Sequence, residues 1–146
     1  MRRRGVIRRI ILHTLNRRGP LHVYGIIKSI KELSFNTYTP STGVIYPALK
    51  NLLKNGLIRD IEDDGKKLYE ITDKGKVAIS LDPPITEIFE KIIKTGFPYK
   101  EISDIARLIY DNWSTIGDRE KEEIRRILEE AFSRIEEIVK GNEEDN

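Results

Sequence analysis

Residues 39–72 constrain the fold of this chain more than any other stretch, because a helical pattern is followed directly by a hairpin pattern. Thr39 and Pro40 are typical of an N-cap and a first helical position, and Asn55-Gly56 is typical of a helix end. Between them, apolar residues recur at the i, i+4, i+7, i+8 spacing of one buried stripe: Ile45, Leu49, Leu52 and Leu53. We therefore predict a helix that is capped by Thr39 and ends before Gly56.

The second part of this stretch has the pattern of a β-hairpin. Two runs rich in strand-forming residues, 57–62 and 67–72, flank the turn-forming residues Asp63-Asp64-Gly65-Lys66. A helix with a small, polar beginning and basic sides, followed by a hairpin, is the arrangement of a winged helix-turn-helix.

Two further helices are predicted before this stretch, at residues 6–15 and 22–33. Each has an apolar stripe at helical spacing, made by Ile7, Ile10, Ile11 and Leu15 in the first and by Val23, Ile26, Ile27 and Ile30 in the second. The order helix, helix, turn, helix, hairpin predicts a mostly helical α+β fold over residues 1–81, with the third helix partly outside the core.

Asp82-Pro83-Pro84 is the clearest boundary in the sequence. Beyond it we predict a region of three helices over residues 82–140, at 85–95, 101–113 and 118–140. Residues 141–146 are acidic and polar, which predicts a disordered tail.

The charge is divided unequally between the two halves of the 146-residue chain. Residues 1–80 hold 16 Lys and Arg against 7 Asp and Glu, a net charge of +9, whereas residues 81–146 have a net charge of −7. A basic half favours a polyanion as partner; the alternative is two solvated surfaces of opposite sign. Cysteine is absent, which excludes disulfides and thiolate chemistry. Because basic residues interrupt the apolar ones near the start, we expect no signal peptide, and the sequence contains no long apolar run. We predict a cytoplasmic protein without membrane spans, metals or cofactors.

Four blocks of the sequence resemble the PadR family of transcriptional regulators. They are Leu21-His22-Val23-Tyr24-Gly25-Ile26, Gly43-x-x-Tyr46-Pro47-x-Leu49, Leu53-x-x-Gly56-Leu57-Ile58 and Leu68-Tyr69-x-Ile71-Thr72-x-x-Gly75. The resemblance covers about the first half of the chain, and Val23 departs from it at a position where the family usually has glycine. It implies a homodimeric winged-helix repressor that binds double-stranded DNA. The C-terminal helices of this repressor form the dimer. Because some members of the family respond to phenolic or drug-like ligands, it also implies regulation by a small aromatic effector.

Candidate DNA-binding residues follow from this arrangement, because the first turns of a recognition helix reach base edges and lysines contact phosphates. They are Ser41, Thr42, Gly43 and Tyr46 at the start of the third helix, Lys50 and Lys54 further along it, Lys66 and Lys67 on the wing, and Arg2, Arg3 and Arg4 as a basic arm. The alternatives are capping for Ser41 and Thr42, packing for Tyr46, and a solvated terminus for the arginines. Pro47 is interpreted as shaping the helix.

The last predicted helix has one apolar stripe, which either forms a dimer seam or packs against its own domain. Its residues are Ile124, Ile127, Leu128, Ala131, Ile135 and Ile138. We favour the dimer, because most DNA sites for such proteins have two-fold symmetry and we predict a partly palindromic operator. Tyr110 and Trp113 are candidates for an effector pocket, with ordinary packing as the alternative.

Two other classes of function are weighed against a DNA-binding regulator. An enzyme is disfavoured because His13 and His22 occur without a recognisable catalytic motif or phosphate-binding loop. A winged helix that serves as a protein–protein interaction module remains the alternative, and it predicts no DNA affinity.

Overall fold

The computed structural model describes residues 3–92 and 96–144. The described elements, in chain order, are α1 (Arg3–Arg18), α2 (Val23–Leu33), α3 (Thr42–Lys54), β1 (Ile58–Asp63), β2 (Lys66–Ile71), α4 (Asp73–Ile79), α5 (Ile85–Ile92), α6 (Tyr99–Asn112) and α7 (Asp118–Glu144). The predicted class, mostly helical with a small hairpin, is confirmed. The chain divides into two compact units, Met1–Glu101 and Ile102–Asn146.

The core of the first unit is built around α1, which contacts α2, α3, α4, α5 and β2. The stripes predicted from helical spacing supply about half of this core, which includes Ile10 and Ile11 of α1, Ile26 and Ile30 of α2, and Ile45, Leu49 and Leu52 of α3. Leu53 is only partly buried. Burial of these aliphatic side chains holds α3 against α1 and leaves its opposite side free.

The first unit continues beyond the boundary predicted at Asp82. Ile85, Ile88 and Phe89 of α5 are buried in the same core as α1, and so is Tyr99 at the start of α6. The Tyr99 hydroxyl donates to the carbonyl oxygen of Ser34 at 3.1 Å, which ties this segment to the turn after α2. The division of the chain into a DNA-binding and a dimerisation region remains a prediction.

The third helix begins two residues later than predicted, so the assignment of Thr39 as its cap was wrong. Ser41 is the N-cap, with extended backbone, and its carbonyl oxygen accepts the first helical hydrogen bond from Ile45 N at 3.0 Å. Pro40 is buried in the segment before the helix rather than at the first helical position. Its fixed φ suits extended backbone as well as helix, which is why the sequence pattern did not distinguish the two.

The hairpin is tighter than predicted. Asp63 pairs with Lys66, so the loop consists of Asp64 and Gly65 alone. Both have positive φ, 51° and 76°, as a two-residue turn that matches the twist of the strands requires. The backbone groups of Leu21 and Tyr69 also exchange hydrogen bonds of 3.0 and 2.8 Å, which attach the segment before α2 to the hairpin.

The second unit contains most of α6 and all of α7. The predicted disordered tail was wrong for its first four residues, because α7 continues through Gly141 to Glu144; residues 145 and 146 lie outside the described part. Once a helix exists, each added residue gains a backbone hydrogen bond, so an exposed helix can extend without a core. Among the described residues, no helix is both long enough and apolar enough to cross a membrane.

Candidate nucleic-acid interface

The outer side of α3 starts with exposed hydroxyl groups. Ser41 and Thr42 are both exposed. The Ser41 hydroxyl makes no capping hydrogen bond, although Ser41 occupies the N-cap position. Since capping is the ordinary structural use of such a side chain, its hydroxyl is available for another hydrogen-bonding partner.

Gly43 stands in open space on the same side. A Cβ added to it would have one neighbour within 4 Å, the Ser41 Oγ at 3.8 Å, so packing within the described protein does not require glycine here. Pro47 lies inside α3, exposed, four residues after Gly43. Tyr46 is 51% exposed, so half of its surface is not used for packing. This part of the helix therefore presents a shallow surface with a phenol beside it.

The basic residues differ in how strongly neighbouring carboxylates neutralise them. Lys50 and Lys54 of α3 are exposed and make no ion pair with a described residue, and the same is true of Lys66 on the wing. Lys67 lies 3.4 Å from the Asp60 carboxylate. Because Asp63 and Asp64 are exposed at the tip as well, the wing is less basic than α3.

The arginines at the start of the chain do not form one extended arm. The helix α1 already begins at Arg3, so Arg3 and Arg4 have helical backbone, while Arg2 lies outside the described residues.

Both histidines have structural partners. His22 is the N-cap of α2, and its Nδ1 accepts a hydrogen bond from Gly25 N at 2.7 Å. The Nε2 of His13 lies 3.0 Å from the Asp82 carboxylate. In the described part of the chain, no group of three His, Cys, Asp or Glu side chains is arranged to hold a metal ion.

The block Tyr69-x-Ile71-Thr72-x-x-Gly75 is explained by packing rather than by DNA contact. The Thr72 Oγ1 caps α4 by accepting from Gly75 N at 3.1 Å, and it donates to the Gly56 carbonyl oxygen at 2.6 Å. Gly75 is buried, and Tyr69 and Ile71 belong to the core. This block therefore locks the hairpin to the end of α3 and the start of α4.

In the second unit, the predicted effector residues have different environments. Tyr110 is 84% exposed. Trp113 is partly buried, and the cationic groups of Lys121 and Arg125 lie 5.5 and 5.4 Å from its ring centroid. These distances correspond to cation–π contacts, so part of the Trp113 ring surface is already used within the unit.

The apolar stripe of α7 is largely uncovered. Ile124 is partly buried, while Ile127, Leu128, Ala131, Ile135 and Ile138 are exposed. Phe132 and Val139 widen this face with exposures of 68% and 53%. On α6, Ile105 and Leu108 are exposed by 53% and 69%. Apolar surface of this extent on one unit is typical of an interaction site.

Sequence reasoning also missed Val44 and Asn51 on α3. Val44 is 41% exposed, and Asn51 is partly buried seven residues further along the helix. Helical spacing could have identified Val44 as exposed, because it falls outside the buried stripe formed by Ile45, Leu49 and Leu52.

Comparisons with known proteins agree with this fold and with the resemblance. Residues 11–81 match the Transcriptional regulator PadR-like family. The Transcriptional regulator YqjI of Escherichia coli (strain K12) is 34% identical over 118 residues, which cover 78% of this chain and 56% of that protein. The YqjI protein of Shigella flexneri matches with the same identity and coverage. This chain thus spans about half the length of these relatives.

Among solved structures, a transcriptional regulator from Clostridium thermocellum is similar, with a TM-score of 0.51 and 27% identity over 64% of this chain and 92% of that one. The family and the E. coli relative are described as transcriptional regulators and not as enzymes, in agreement with the interpretation of the two histidines.

Proposed function

We propose that this chain, whose residues 11–81 match the PadR-like family of transcriptional regulators, is a dimeric repressor that binds a specific, partly palindromic DNA site. The observation that carries the proposal is the outer side of α3. This side carries exposed hydroxyl groups, a glycine with open space around it, and lysines that make no ion pair with a described residue. The opposite side of the helix is packed in the core.

Each part of this surface has a separate role in DNA recognition. The Ser41 and Thr42 hydroxyls can bond to bases or phosphates, and Gly43 lets the backbone approach the groove closely. Lys50 and Lys54 neutralise phosphates, and the wing adds Lys66 with a weaker contribution from Lys67. Tyr46 supplies a large, partly apolar side chain at the edge of the groove.

A dimer is supported by the exposed face of α7. Ile124, Leu128, Ala131, Ile135 and Ile138 follow one another at alternating spacings of four and three residues, which is the spacing of a coiled-coil seam. Two copies joined in this way would present two α3 helices to major grooves about one helical turn apart, roughly 34 Å, on a site with matching symmetry. Occupation of that site would block transcription. This role places the protein in the cytoplasm, together with the chromosome.

The test is fluorescence-anisotropy titration of the purified protein with its own upstream DNA and with a scrambled duplex, repeated across salt concentrations. We expect tighter binding to the upstream DNA. If three lysines of each subunit reach phosphates, log K should fall against log salt with a slope of about −5. Equal affinity for both duplexes would contradict specific recognition. Absence of binding at low salt would favour the alternative, a winged helix that binds another protein.

A small aromatic effector at Tyr110 and Trp113 is a separate part of the proposal. A ligand there would have to compete with Lys121 and Arg125 for the Trp113 ring. Quenching or a spectral shift of Trp113, the one tryptophan of the chain, reports on such binding directly.

A further inference from the structure

The turn between α2 and α3, residues 34–41, is hydrogen-bonded around one buried serine. The Ser34 hydroxyl accepts a hydrogen bond of 3.0 Å from Tyr38 N. The Ser34 carbonyl oxygen accepts from the backbone N–H of Thr37 at 3.1 Å and from the Thr37 hydroxyl at 2.6 Å. Since Tyr38 lies three residues before Ser41, the N-cap of α3, these bonds hold the chain that leads into α3.

Tyr99, the first residue of α6, reaches the same serine. Its hydroxyl donates to the Ser34 carbonyl oxygen at 3.1 Å and also contacts the Thr37 hydroxyl. Tyr99 and Ser34 are 1% and 0% exposed, so water has no access to replace this hydrogen bond. Tyr99 lies beyond residues 11–81, the part of the chain that matches the family. The turn between α2 and α3 is thus held by a residue from outside that part.

The turn is strained at Phe35. Its φ is 53°, a left-handed backbone conformation that is rare for a bulky side chain. The Phe35 ring is 46% exposed and stacks on Phe97, with ring centroids 5.4 Å apart. The Phe97 ring centroid in turn lies 4.6 Å from that of Tyr99. Contacts with Phe97 and Tyr99 therefore hold a backbone conformation that is locally unfavourable.

We propose that Tyr99 is a positioning residue for DNA recognition. It keeps the turn between α2 and α3 in the conformation that orients the outer side of α3 toward the groove. Because the strain at Phe35 opposes this conformation, loss of the Tyr99 hydrogen bond lets the turn relax. Protein with a relaxed turn loses its specific contacts but keeps its lysines. This proposal rests on the proposed function, since it assigns a further residue to specific DNA binding.

The test compares Tyr99→Phe with Thr14→Val by fluorescence anisotropy, at a temperature at which circular dichroism shows all proteins folded. Y99F removes the hydroxyl and keeps the ring beside Phe97. T14V is the matched control, because it removes a buried hydroxyl that donates to Ile10 O at 2.7 Å within α1, away from the turn.

In Y99F we expect the affinity for upstream DNA to fall by about threefold to tenfold. This is the factor by which one hydrogen bond shifts the equilibrium of the turn. The affinity for scrambled DNA and its salt dependence should not change, because the lysines supply them. In T14V both affinities should equal those of the wild-type protein.

Thr37→Val removes the other hydroxyl that contacts the Ser34 carbonyl oxygen, and it tests whether Thr37 and Tyr99 act together. The Y99F/T37V double variant should bind upstream DNA no more weakly than the weaker single variant, since both changes break one group of hydrogen bonds. Losses that multiply in the double variant would show that Tyr99 acts elsewhere and would overturn the proposal. If Y99F did not fold, T37V would carry the same expected loss of upstream affinity.

Hydrogen exchange of the protein without DNA reports on the turn directly. We expect the amides of Thr37 and Tyr38 to exchange about threefold to tenfold faster in Y99F than in T14V. Equal exchange, or equal upstream affinity in the two variants, would overturn the proposal. A purely structural Tyr99 would lower stability and leave the ratio of the two DNA affinities unchanged. A wild-type protein that binds both duplexes equally would refute the proposed function, and the exchange rates would still decide whether Tyr99 holds the turn.

Discussion

The carboxylate of Asp82 lies 3.0 Å from the Nε2 of His13, and it also accepts a hydrogen bond of 3.0 Å from the Nε of Arg9. The Asp82 side chain is only 3% exposed, whereas those of Arg9 and His13 are 35% and 18% exposed. One carboxylate from the segment before α5 is therefore held by two residues of α1, about one helical turn apart. This contact fixes the connection between α4 and α5 to the centre of the first unit.

Replacing Asp82 by alanine should destabilise the protein by about 1–3 kcal/mol, because it leaves Arg9 and His13 without their shared acceptor in a partly buried site. Urea unfolding followed by circular dichroism measures the change. The matched control is Glu32→Ala, which removes the exposed Arg18–Glu32 pair. That pair is screened by water and should contribute about 0.5 kcal/mol or less. Equal losses of stability in the two variants would show that burial of Asp82 adds nothing.

Asp82 also illustrates what the sequence could not reveal. Helical spacing predicted the core of α1, α2 and α3 because each stripe is a local pattern. Asp82, by contrast, was interpreted only as part of a boundary with Pro83 and Pro84, since its partners lie 69 and 73 residues away. Similarly, Thr39 and Ser41 are both residue types that favour the N-cap position, and the structure places the helix start after Ser41, with Pro40 buried between them. For the candidate site, the residue types on α3 were predicted, but the open space around Gly43 depends on tertiary packing.

Gly43→Ala separates stability from recognition. Alanine is a better helix former, and the added Cβ meets nothing closer than 3.8 Å, so we expect a gain of about 0.5 kcal/mol in the free energy of unfolding. The methyl group would stand between α3 and the groove, so DNA affinity should fall by about tenfold if the hydrogen bonds to each base are worth about 1–3 kcal/mol. Gly141→Ala, also in open helical space, should stabilise without changing DNA affinity. Tighter or unchanged DNA binding by G43A would contradict the proposed docking of α3.

Lys50 and Lys54 should determine the salt dependence of DNA binding. Replacing both by glutamine is expected to weaken binding to upstream and scrambled DNA alike. The slope of log K against log salt should become shallower by about 0.9 for each phosphate that the protein no longer neutralises. The control is the double substitution Lys91→Gln and Lys140→Gln, which removes the same charge from exposed positions on α5 and α7. If both double variants changed the slope equally, the effect would reflect overall charge and not the α3 surface.

Ile135→Glu tests the proposed dimer through α7. Ile135 is 60% exposed in one chain, so a single chain should tolerate the change. In a dimer seam the carboxylate would be buried without a partner, and we expect the dissociation constant of the dimer to rise by about 30-fold or more. Sedimentation velocity across concentrations measures it. Ser133→Glu places the same charge on the opposite side of α7 and should leave the dimer intact. Equal masses for the two variants would argue against this seam.

Gly75→Ala tests why the block that ends in Gly75 has a glycine at that position. A Cβ there would overlap the carbonyl oxygen of Leu57 and lie 2.7 Å from the Cγ1 of Ile71, and neither backbone nor buried core can move away cheaply. We expect the free energy of unfolding to fall by about 1–3 kcal/mol, the usual cost of overpacking. Gly5→Ala, whose added Cβ would meet only Arg8 at 4.0 Å, should be neutral or slightly stabilising. Because Gly75 joins α4 to the hairpin behind the proposed DNA surface, folded G75A protein should bind DNA with unchanged salt dependence. A changed slope without a decrease in stability would place Gly75 in the interface instead of the scaffold.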